Sequence, residues 1–356
     1  MNNLQPQMAN VYGGHLSFID YNNDGFLDIS MSGLATVNFS TFTALLLYKW
    51  ENGNFVLDDD ENQLSITDGY WGGQYNHDWA DYDNDGDLDL VSGGISIFDN
   101  TNYLTIFKNN NGILSKDTTQ TDLIPLFPCA LIWIDINGDN YKDLLTLGRL
   151  QLNGVSHMYI NDGMGKLIKS SDQPFEIPSI LHAISVGDHN SDGYDDIAIA
   201  HLIGTEMYTN IYTNEYGSSS INEFSLHQEL QGATYASLDW GDYDNDGDLD
   251  LVTSGYTATS TTDQGLEEYT NPITNIYQQD DQGIFIFDSS LYMIDSVGLS
   301  STQWGDYDND GDLDLLVTGE TAEKELITRI YENLEGFTNS NTPPTKPIML
   351  MSNVNI

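Results

Sequence analysis

The sequence predicts an all-β fold, namely a β-propeller of six blades with four strands in each blade. Three observations support this prediction. An aspartate-rich motif occurs six times along the 356 residues, an aromatic residue recurs at a similar distance after each copy, and short apolar runs leave room for four strands per unit. No segment shows a sustained helical period with capping residues. Tandem units of about 50 residues with four short strands are typical of propeller blades.

The aspartate-rich motif sets the number of blades. Its most regular copies read Trp-Gly-Asp-Tyr-Asp-Asn-Asp-Gly-Asp-Leu-Asp-Leu, at residues 240–251 and 304–315. The first aspartates of the six copies are Asp20, Asp81, Asp135, Asp188, Asp242 and Asp306. Their spacings are 61, 54, 53, 54 and 64 residues, and the two longer intervals are too short to hide another unit. We therefore expect six blades, with a seven-bladed ring that has lost one blade as the alternative.

The apolar runs around the motif predict the order of strands. Runs such as 182–186 come directly before the motif and runs such as 249–253 directly after it, which places the motif in the loop between strands 1 and 2. The recurring aromatic residue and the Asn/Gly pairs after it predict strand 3, a hairpin turn and strand 4. Strand 4 of the last unit is weak. We expect residues from about Leu4 to Val11 to supply or complete it and to close the ring.

Alternating carboxylates in each loop predict a metal site. Ca²⁺ prefers about six to eight oxygen ligands, which a tight loop supplies from the side chains at positions 1, 3, 5 and 9 and from the carbonyl at position 7. Mg²⁺ is less suited, because it keeps several waters. The expected ligands, with position 7 contributing only its carbonyl, are Asp20, Asn22, Asp24, Phe26 and Asp28; Asp81, Asp83, Asp85, Asp87 and Asp89; Asp135, Asn137, Asp139, Tyr141 and Asp143; Asp188, Asn190, Asp192, Tyr194 and Asp196; Asp242, Asp244, Asp246, Asp248 and Asp250; and Asp306, Asp308, Asp310, Asp312 and Asp314.

Other loop positions refine this prediction. Position 6 has to turn sharply, which favours glycine and tolerates Asn140 in the third loop. An EF-hand is excluded, because it needs a glutamate at position 12 and flanking helices. Position 12 is occupied by Met31, Ser92, Thr146, Ile199, Thr253 and Val317. The side chains expected to point to solvent, at positions 7 or 8, are Asp87, Asp195, Asp248 and Asp312.

The charge of the chain limits its partners and its location. With 55 acidic and 10 basic residues, the formal net charge of −45 argues against nucleic acid or an anionic membrane as partner. About six Ca²⁺ ions would reduce this charge to about −33 and neutralise the loops, so we expect the calcium-free protein to be much less stable. Loops of this kind are saturated at millimolar calcium, which predicts a secreted protein, extracellular or at the cell surface.

Few other sequence features point to a compartment. The single cysteine, Cys129, excludes an internal disulfide and lies in an apolar run, where we expect a buried core residue. No apolar run reaches the ~18 residues of a membrane span, and residues 1–7 lack the basic and apolar regions of a signal peptide. If the protein is exported, we expect this chain to be a mature fragment.

From about residue 10 to 340, these motifs resemble the FG-GAP/VCBS repeat family of calcium-binding propellers, which is related to the blades of integrin α-subunits. The resemblance implies metal ligands at the six loops given above. The Phe-Gly and Gly-Ala-Pro signatures of integrins are absent, so integrin-like ligand recognition is not implied. The tail is similar to the lead-in of a fibronectin-III-like domain in large bacterial surface proteins. We expect a propeller at residues 1–342 and a Pro-rich linker at 343–356 toward a further domain.

The sequence favours a non-catalytic binding or adhesion module for a protein or glycan at the cell surface. Loops between strands 2 and 3, the largest at 256–272 and a smaller one at 35–41, are expected on the face opposite the calcium loops, where recognition would occur. One alternative is a carbohydrate-active, lyase-like enzyme with His15 and His77 at the channel mouth, although hydrogen-bonded surface or core histidines explain these residues better. The other is a structural spacer or fibre subunit. The oligomeric state is not predicted.

Overall fold

The computed structural model describes residues 11–12, 15–37, 40–52, 54–58, 76–95, 101–126, 129–150, 153–170, 180–203, 205–215, 224–261, 267–291, 293–307, 310–333 and 349–351. These residues form six antiparallel sheets that follow one another along the chain. Within these ranges the structure contains no helix, so it contains no helix that could cross a membrane. The prediction of an all-β propeller with six four-stranded blades is confirmed.

The first three blades contain β1 to β13. Blade 1 contains β1 (Val11–Tyr12), β2 (Leu16–Ile19), β3 (Asp28–Val37), β4 (Ser40–Glu51) and β5 (Asn54–Leu57). Blade 2 contains β6 (Asn76–Ala80), β7 (Asp89–Ile95), β8 (Asn102–Lys108) and β9 (Ser115–Lys116). Blade 3 contains β10 (Cys129–Ile134), β11 (Asp143–Leu150), β12 (Asn153–Asn161) and β13 (Leu167–Lys169). Because β1 and β2 both pair with β3, they share the first-strand position of blade 1.

The last three blades contain β14 to β25. Blade 4 contains β14 (Ile180–Gly187), β15 (Asp196–Ile203), β16 (Glu206–Asn214) and β17 (Phe224–Leu230). Blade 5 contains β18 (Thr234–Gly241), β19 (Asp250–Thr261), β20 (Glu267–Gln279) and β21 (Phe285–Phe287). Blade 6 contains β22 (Gly298–Gly305), β23 (Asp314–Glu320), β24 (Leu326–Asn333) and β25 (Met349–Met351). The second strands are apolar on both faces, as in β15 and β23, because each blade is packed between two neighbours.

The outer strand of blade 6 comes from the C-terminal side. β25 pairs with β24 and lies inside the predicted linker 343–356, so these three residues belong to the blade. Val11 instead pairs with Ala35 of β3, at the first-strand position of blade 1. The predicted outer strand from Leu4 to Val11 is therefore wrong at Val11, and residues 4–10 lie outside the described part of the chain. Strands that follow each other in sequence pair preferentially, which favours the C-terminal segment at this edge.

The first strands surround the ring axis and are joined by side chains. They contact one another from β6 through β10, β14 and β18 to β22, and β22 contacts β2. In blades 2, 5 and 6 the side chain three residues before the loop accepts a hydrogen bond from the next first strand. Asp78 accepts from the N–H of Trp133 (2.7 Å), and Asp239 from that of Trp304 (2.8 Å). Gln303 accepts from the N–H of Phe18, which closes the ring between blades 6 and 1.

Aromatic stacking between blades explains the Trp-x-Asp-Tyr part of the motif. Tyr82 of blade 2 stacks on Trp133 of blade 3, with ring centroids 5.3 Å apart and an interplanar angle of 11°. Tyr243 and Trp304 repeat this stack between blades 5 and 6 at 5.6 Å. Gly241 is required beneath Trp304, since a Cβ atom there would lie 2.7 Å from the indole ring. The motif therefore specifies blade packing as well as the loop.

A buried amide joins each of five blades to its predecessor. The Asn109 Nδ2 donates to the carbonyl oxygens of Tyr21 in blade 1 (2.7 Å) and Leu88 in its own blade (2.9 Å). The residues at this place, two after the recurring aromatic residue, are here called the clamp residues: Asn109, Asn161, Asn214, Gln279 and Asn333. Blade 1 has Trp50 there instead. The predicted Asn/Gly hairpin turn is present directly afterwards, where Asn111 and Gly112 both have positive φ.

Replacing a clamp residue should destabilise the ring, while replacing its neighbour should not. Asn109→Ala leaves two buried carbonyl oxygens unpaired, so we expect the free energy of unfolding to fall by about 3 kcal/mol in urea titrations with calcium present. The adjacent Asn110 is exposed, and Asn110→Ala is expected to change the free energy of unfolding by less than about 0.5 kcal/mol. Equal effects of the two substitutions would contradict the role of the clamp.

The carboxyl of Asp239 should make stability depend on pH. Burial, and to a lesser extent the charge of Asp78, raises the pKa of Asp239 to about 7. The folded state then binds more protons than the unfolded state, in which the pKa is about 3.9, so this group stabilises the fold at low pH and loses that contribution as the pH rises through about 7. Asp239→Asn keeps an acceptor for Trp304 and removes the titration.

We therefore expect the melting temperature of Asp239→Asn to exceed that of the wild type at pH 8, and the difference to shrink toward pH 4. Thermal unfolding of both proteins between pH 4 and pH 8 measures this difference in melting temperature. Asp122→Asn makes the same charge change at an exposed residue and serves as the control. A difference between Asp239→Asn and wild type that stays constant with pH would contradict the assignment.

Candidate metal-binding loops

The six aspartate-rich segments form the loops between first and second strands, as predicted. Loops 1 to 6 cover residues 20–28, 81–89, 135–143, 188–196, 242–250 and 306–314. Each connects the first strand of its blade to the second strand, so all six lie on one face of the ring. In each loop, position 1 follows the first strand directly and position 9 begins the second strand.

The backbone of these loops turns at two positions. Position 6 has positive φ in every loop, including Asn140 in loop 3 (65°), as the sequence predicted. Position 4 is also left-handed in loops 1 to 5, where it is Asn, Gly or Ser, a requirement that sequence reasoning missed. These two turns fold nine residues back on themselves. In loops 2 and 5 they bring the side chains at positions 1, 3 and 9 together.

The aspartates at positions 1 and 5 fix the turn by accepting backbone hydrogen bonds. In loop 1, Asp20 accepts from the N–H groups of Asp24 (3.0 Å) and Gly25 (2.9 Å). Asp24 in turn accepts from the N–H of Phe26 (2.9 Å). The same three bonds occur in every other loop. Each carboxylate can accept more than one bond per oxygen, so these contacts leave lone pairs for a cation.

The position-nine aspartates join the loop to the rest of the blade. They are fully buried, at 0% exposure, and comprise Asp28, Asp89, Asp143, Asp196, Asp250 and Asp314. One oxygen of each accepts the N–H at or next to the end of the third strand, at 2.7–2.9 Å, and in five blades that N–H belongs to the clamp residue. Burial, aided by the other loop carboxylates, raises the pKa of the first four to about 7 and that of Asp250 to about 9. A positive charge in the loop would counter this effect.

Loops 2 and 5 bring three carboxylates together. In Asp81, Asp83 and Asp89, one oxygen from each carboxylate lies within 4.8 Å of the others, and the same holds for Asp242, Asp244 and Asp250. Since Ca²⁺–oxygen bonds are about 2.3–2.6 Å long, one ion can bridge oxygens at this separation.

A side chain from the third strand orients position 3 in these two loops. Lys108 Nζ donates to Asp83 Oδ2 at 2.6 Å, and Gln278 Nε2 donates to Asp244 Oδ2. Lys108 and Gln278 each come directly before a clamp residue, and sequence reasoning missed them. In loops 1, 3 and 4, position 3 is Asn and its oxygen accepts the N–H of position 5.

Buried oxygens in the loops show that the residues fit a hard cation. At positions 3 and 9 of the loops, four buried carboxylate oxygens have no hydrogen-bond partner among the described residues, namely Asp28 Oδ2, Asp83 Oδ1, Asp89 Oδ2 and Asp244 Oδ1. A buried acceptor without a partner is costly. All four belong to positions 3 or 9, which the sequence predicted to be metal ligands. The donor set is oxygen only, as hard divalent cations prefer.

The structure brings together side chains at positions 1, 3 and 9 in loops 2 and 5, and it corrects the expectation for other loop residues. Asp308 lies outside the described residues, and coordination by the position 7 carbonyls stays a prediction. The expectation that side chains at positions 7 or 8 point to solvent is wrong for Asp87, Asp195 and Asp312. They accept hydrogen bonds from the preceding loop, given by Asn23 Nδ2, by the N–H of Asp135 and by Asn245 Nδ2, respectively. Neighbouring loops therefore contact one another directly.

The two histidines that the sequence placed near the channel mouth, His15 and His77, lie against each other. His77 is buried, and its two ring nitrogens lie 2.7 Å and 2.9 Å from the hydroxyl oxygens of Ser30 and Ser32. Burial lowers the pKa of His77 well below its ordinary value. His15 packs against its ring edge-on at 4.9 Å. His77 is thus a hydrogen-bonded core histidine, the alternative that the sequence favoured.

The opposite face carries the connections between second and third strands. The most extended one in sequence is in blade 5, where β19 and β20 pair from Leu251↔Tyr277 out to Thr261↔Glu267. This hairpin includes the segment 256–272 that the sequence marked as a recognition loop. Its residues 262–266 lie outside the described part of the chain.

Comparisons with known proteins agree with this architecture. The FG-GAP-like repeat family matches residues 135–199, from loop 3 into β15. No curated protein matches the sequence. A mutant of the Aleuria aurantia lectin in complex with alpha-methyl-L-fucoside is 7% identical, with 96% of this chain and 97% of the lectin covered and a TM-score of 0.53. The same mutant in complex with Fucalpha1-6GlcNAc has the same identity and coverage and a TM-score of 0.49.

A third solved structure is an enzyme. The beta-fructofuranosidase from Schwanniomyces occidentalis, complexed with fructosyl-erythritol, is 11% identical, with 79% of this chain and 60% of the enzyme covered and a TM-score of 0.46. At these identities the lectin likeness concerns the fold alone. The family match covers loop 3, and the same loop recurs at the same place in every blade. This chain is therefore a six-bladed β-propeller that contains an FG-GAP-like repeat at residues 135–199.

Proposed function

We propose that this propeller is a calcium-stabilised, non-catalytic binding module that works outside the cell. Its metal loops occupy one face, and it recognises a glycan or protein ligand through the other. The observation that carries the calcium part is the set of buried carboxylate oxygens that lack partners and converge in the loops.

Calcium would be held by side-chain oxygens at positions 1, 3, 5 and 9 of each loop. The bound ion supplies positive charge that offsets the repulsion among the carboxylates and the burial of the position-nine aspartates. The loops connect the first and second strands, and position 9 reaches the third strand, so the ion stabilises three strands of its blade at once. Open acidic loops of this kind are saturated at millimolar calcium, which supports an extracellular location.

The binding part of the proposal is supported by the opposite face. There a long hairpin from blade 5 stands on a rigid ring, the usual arrangement of recognition loops. The Aleuria aurantia lectin has a similar fold over 96% of this chain, and its structure contains a bound fucoside, so a glycan ligand is compatible with this architecture. Binding without catalysis is favoured, because His77 is only 1% exposed and a substrate could not reach its ring.

Loop aspartates at positions 9 and 7 should differ in their effect on calcium. Asp250→Asn removes a buried ligand charge, so we expect its calcium count in equilibrium dialysis to be one ion below the wild-type count of about six. We also expect the melting temperature in calcium to fall by several degrees, on the order of 5 °C. Asp248→Asn, which makes the same charge change at a position expected to offer only its carbonyl, should keep the wild-type count. Identical counts for the wild type and both variants would contradict the ligand assignment.

A glycan array and a cell-surface binding screen, each run in calcium and in EDTA, test the function. We expect the protein to capture a ligand in calcium and to lose that ligand in EDTA, because the calcium-free ring is less stable. The captured sugar should be chemically unchanged. Shortened or unsaturated sugar products would show an enzyme instead. Capture that survives EDTA would contradict the role of calcium, and no capture in either screen would contradict the binding function.

A further inference from the structure

A cavity of about 490 Å³ lies between blades 5 and 6 on the face opposite the metal loops. One wall is the long hairpin of blade 5, and the other is the turn between β23 and β24, at residues 321–325. Its volume is within the range of about 300–1,000 Å³ that is typical of small-molecule sites. The lining residues used below are Tyr256, Glu268, Tyr269, Thr270, Asn271 and Lys324.

The floor of this cavity is held in one geometry. Tyr256 is buried, and its hydroxyl donates to Glu320 Oε1 at 2.6 Å. Lys324 Nζ donates to the same oxygen at 2.9 Å and lies 5.4 Å above the Tyr256 ring. Gly298 leaves room for this ring, since a Cβ atom there would lie 2.3 Å from it. Blade 5 is thereby locked to blade 6 beneath the cavity.

A second tyrosine forms the wall. Tyr269 is half-buried and packs edge-on against Tyr235, with ring centroids 4.6 Å apart. Tyr235 has a φ of 48° at an irregularity in the pairing of β18 with β19, a strained backbone for an aromatic residue. Leu299 has the same φ at the equivalent irregularity in blade 6, so this backbone belongs to the repeat. The contact with Tyr235 positions the Tyr269 ring before any ligand arrives.

The lining combines aromatic surface with polar groups that suit one ligand chemistry. Glu268, Thr270 and Asn271 offer oxygen and nitrogen atoms for hydrogen bonds beside Tyr269. Lys324 is already paired with Glu320, and the chain has a net charge of −45, so an anionic ligand is disfavoured. A neutral ring that has one apolar face and several hydroxyl groups satisfies both parts of the lining.

We propose that this inter-blade cavity binds a neutral monosaccharide unit, with the Tyr269 ring packed against the sugar face. The inference rests on the proposed binding function and deepens it by naming the site and the ligand class. Glu268 and Asn271 accept or donate hydrogen bonds to the sugar hydroxyls. The hairpin of blade 5 supplies most of these groups, which gives a physical reason for its length.

Titration with simple saccharides tests this site. The probes are alpha-methyl-L-fucoside, methyl galactoside, methyl glucoside and N-acetylglucosamine, with glucuronate as the charged probe, all in calcium and followed by NMR. We expect at least one neutral probe to saturate at about millimolar concentration. Tyr269→Ala should weaken the binding of that probe by about tenfold or more, while Tyr269→Phe, which keeps the ring, should leave the binding unchanged. Phe287→Ala removes another half-exposed aromatic ring of blade 5 and is the matched control.

The outcomes separate this inference from the function on which it rests. Saccharide binding that Tyr269→Ala leaves unchanged, or binding of glucuronate alone, overturns the site while the binding function stands. If no saccharide binds but the cell-surface screen captures a protein, the sugar site is also overturned and the binding function again stands. If neither titration nor screen finds a ligand, both fail. Equal melting temperatures of wild type and Tyr269→Ala exclude misfolding as the cause of lost binding.

Discussion

In every blade a carboxylate with no solvent exposure sits at the ninth position of an acidic loop and accepts a hydrogen bond from the far end of the third strand. Burying this group beside other carboxylates is unfavourable, and burial, more than the neighbouring charges, raises its pKa. A divalent cation reverses the sign of the interaction, because it favours the ionised form that the hydrogen bonds also favour. With such a cation bound, the loop, the second strand and the third strand would all be held by the same carboxylate.

The same residues connect one blade to the next. The clamp residue at the end of the third strand donates to the preceding loop, and the tyrosine of that loop stacks on the next tryptophan. Contacts such as Asn23 to Asp87 join neighbouring loops directly. A loop that loses its shape therefore affects two blade interfaces as well as its own blade. This makes the metal-loop face the structural side of the ring and leaves the opposite face to vary in sequence and length.

The sequence was sufficient to predict the blade count, the loop positions and the left-handed residue at position 6, because each repeats at a fixed spacing. It did not reveal the clamp. In the sequence, Asn109 looked like part of a hairpin turn. Its side chain instead donates to the carbonyl oxygen of Tyr21, which lies 88 residues earlier. The role of Asp312 was missed for the same reason, since the contact with Asn245 crosses a blade interface. The outer strand of blade 6 was misassigned because β25 is only three residues long and follows a Pro-rich segment.

The two faces of the ring carry different functional groups. One face has loops rich in oxygen ligands, and the other has a long hairpin with a cavity lined by tyrosines and polar side chains. The central claim is that cations occupy the loops, and anomalous diffraction from crystals grown in calcium tests it most directly. The account predicts one calcium peak inside each loop, within bonding distance of the side chains at positions 1, 3, 5 and 9. Well-ordered loops without such peaks, in crystals saturated with calcium, would contradict it.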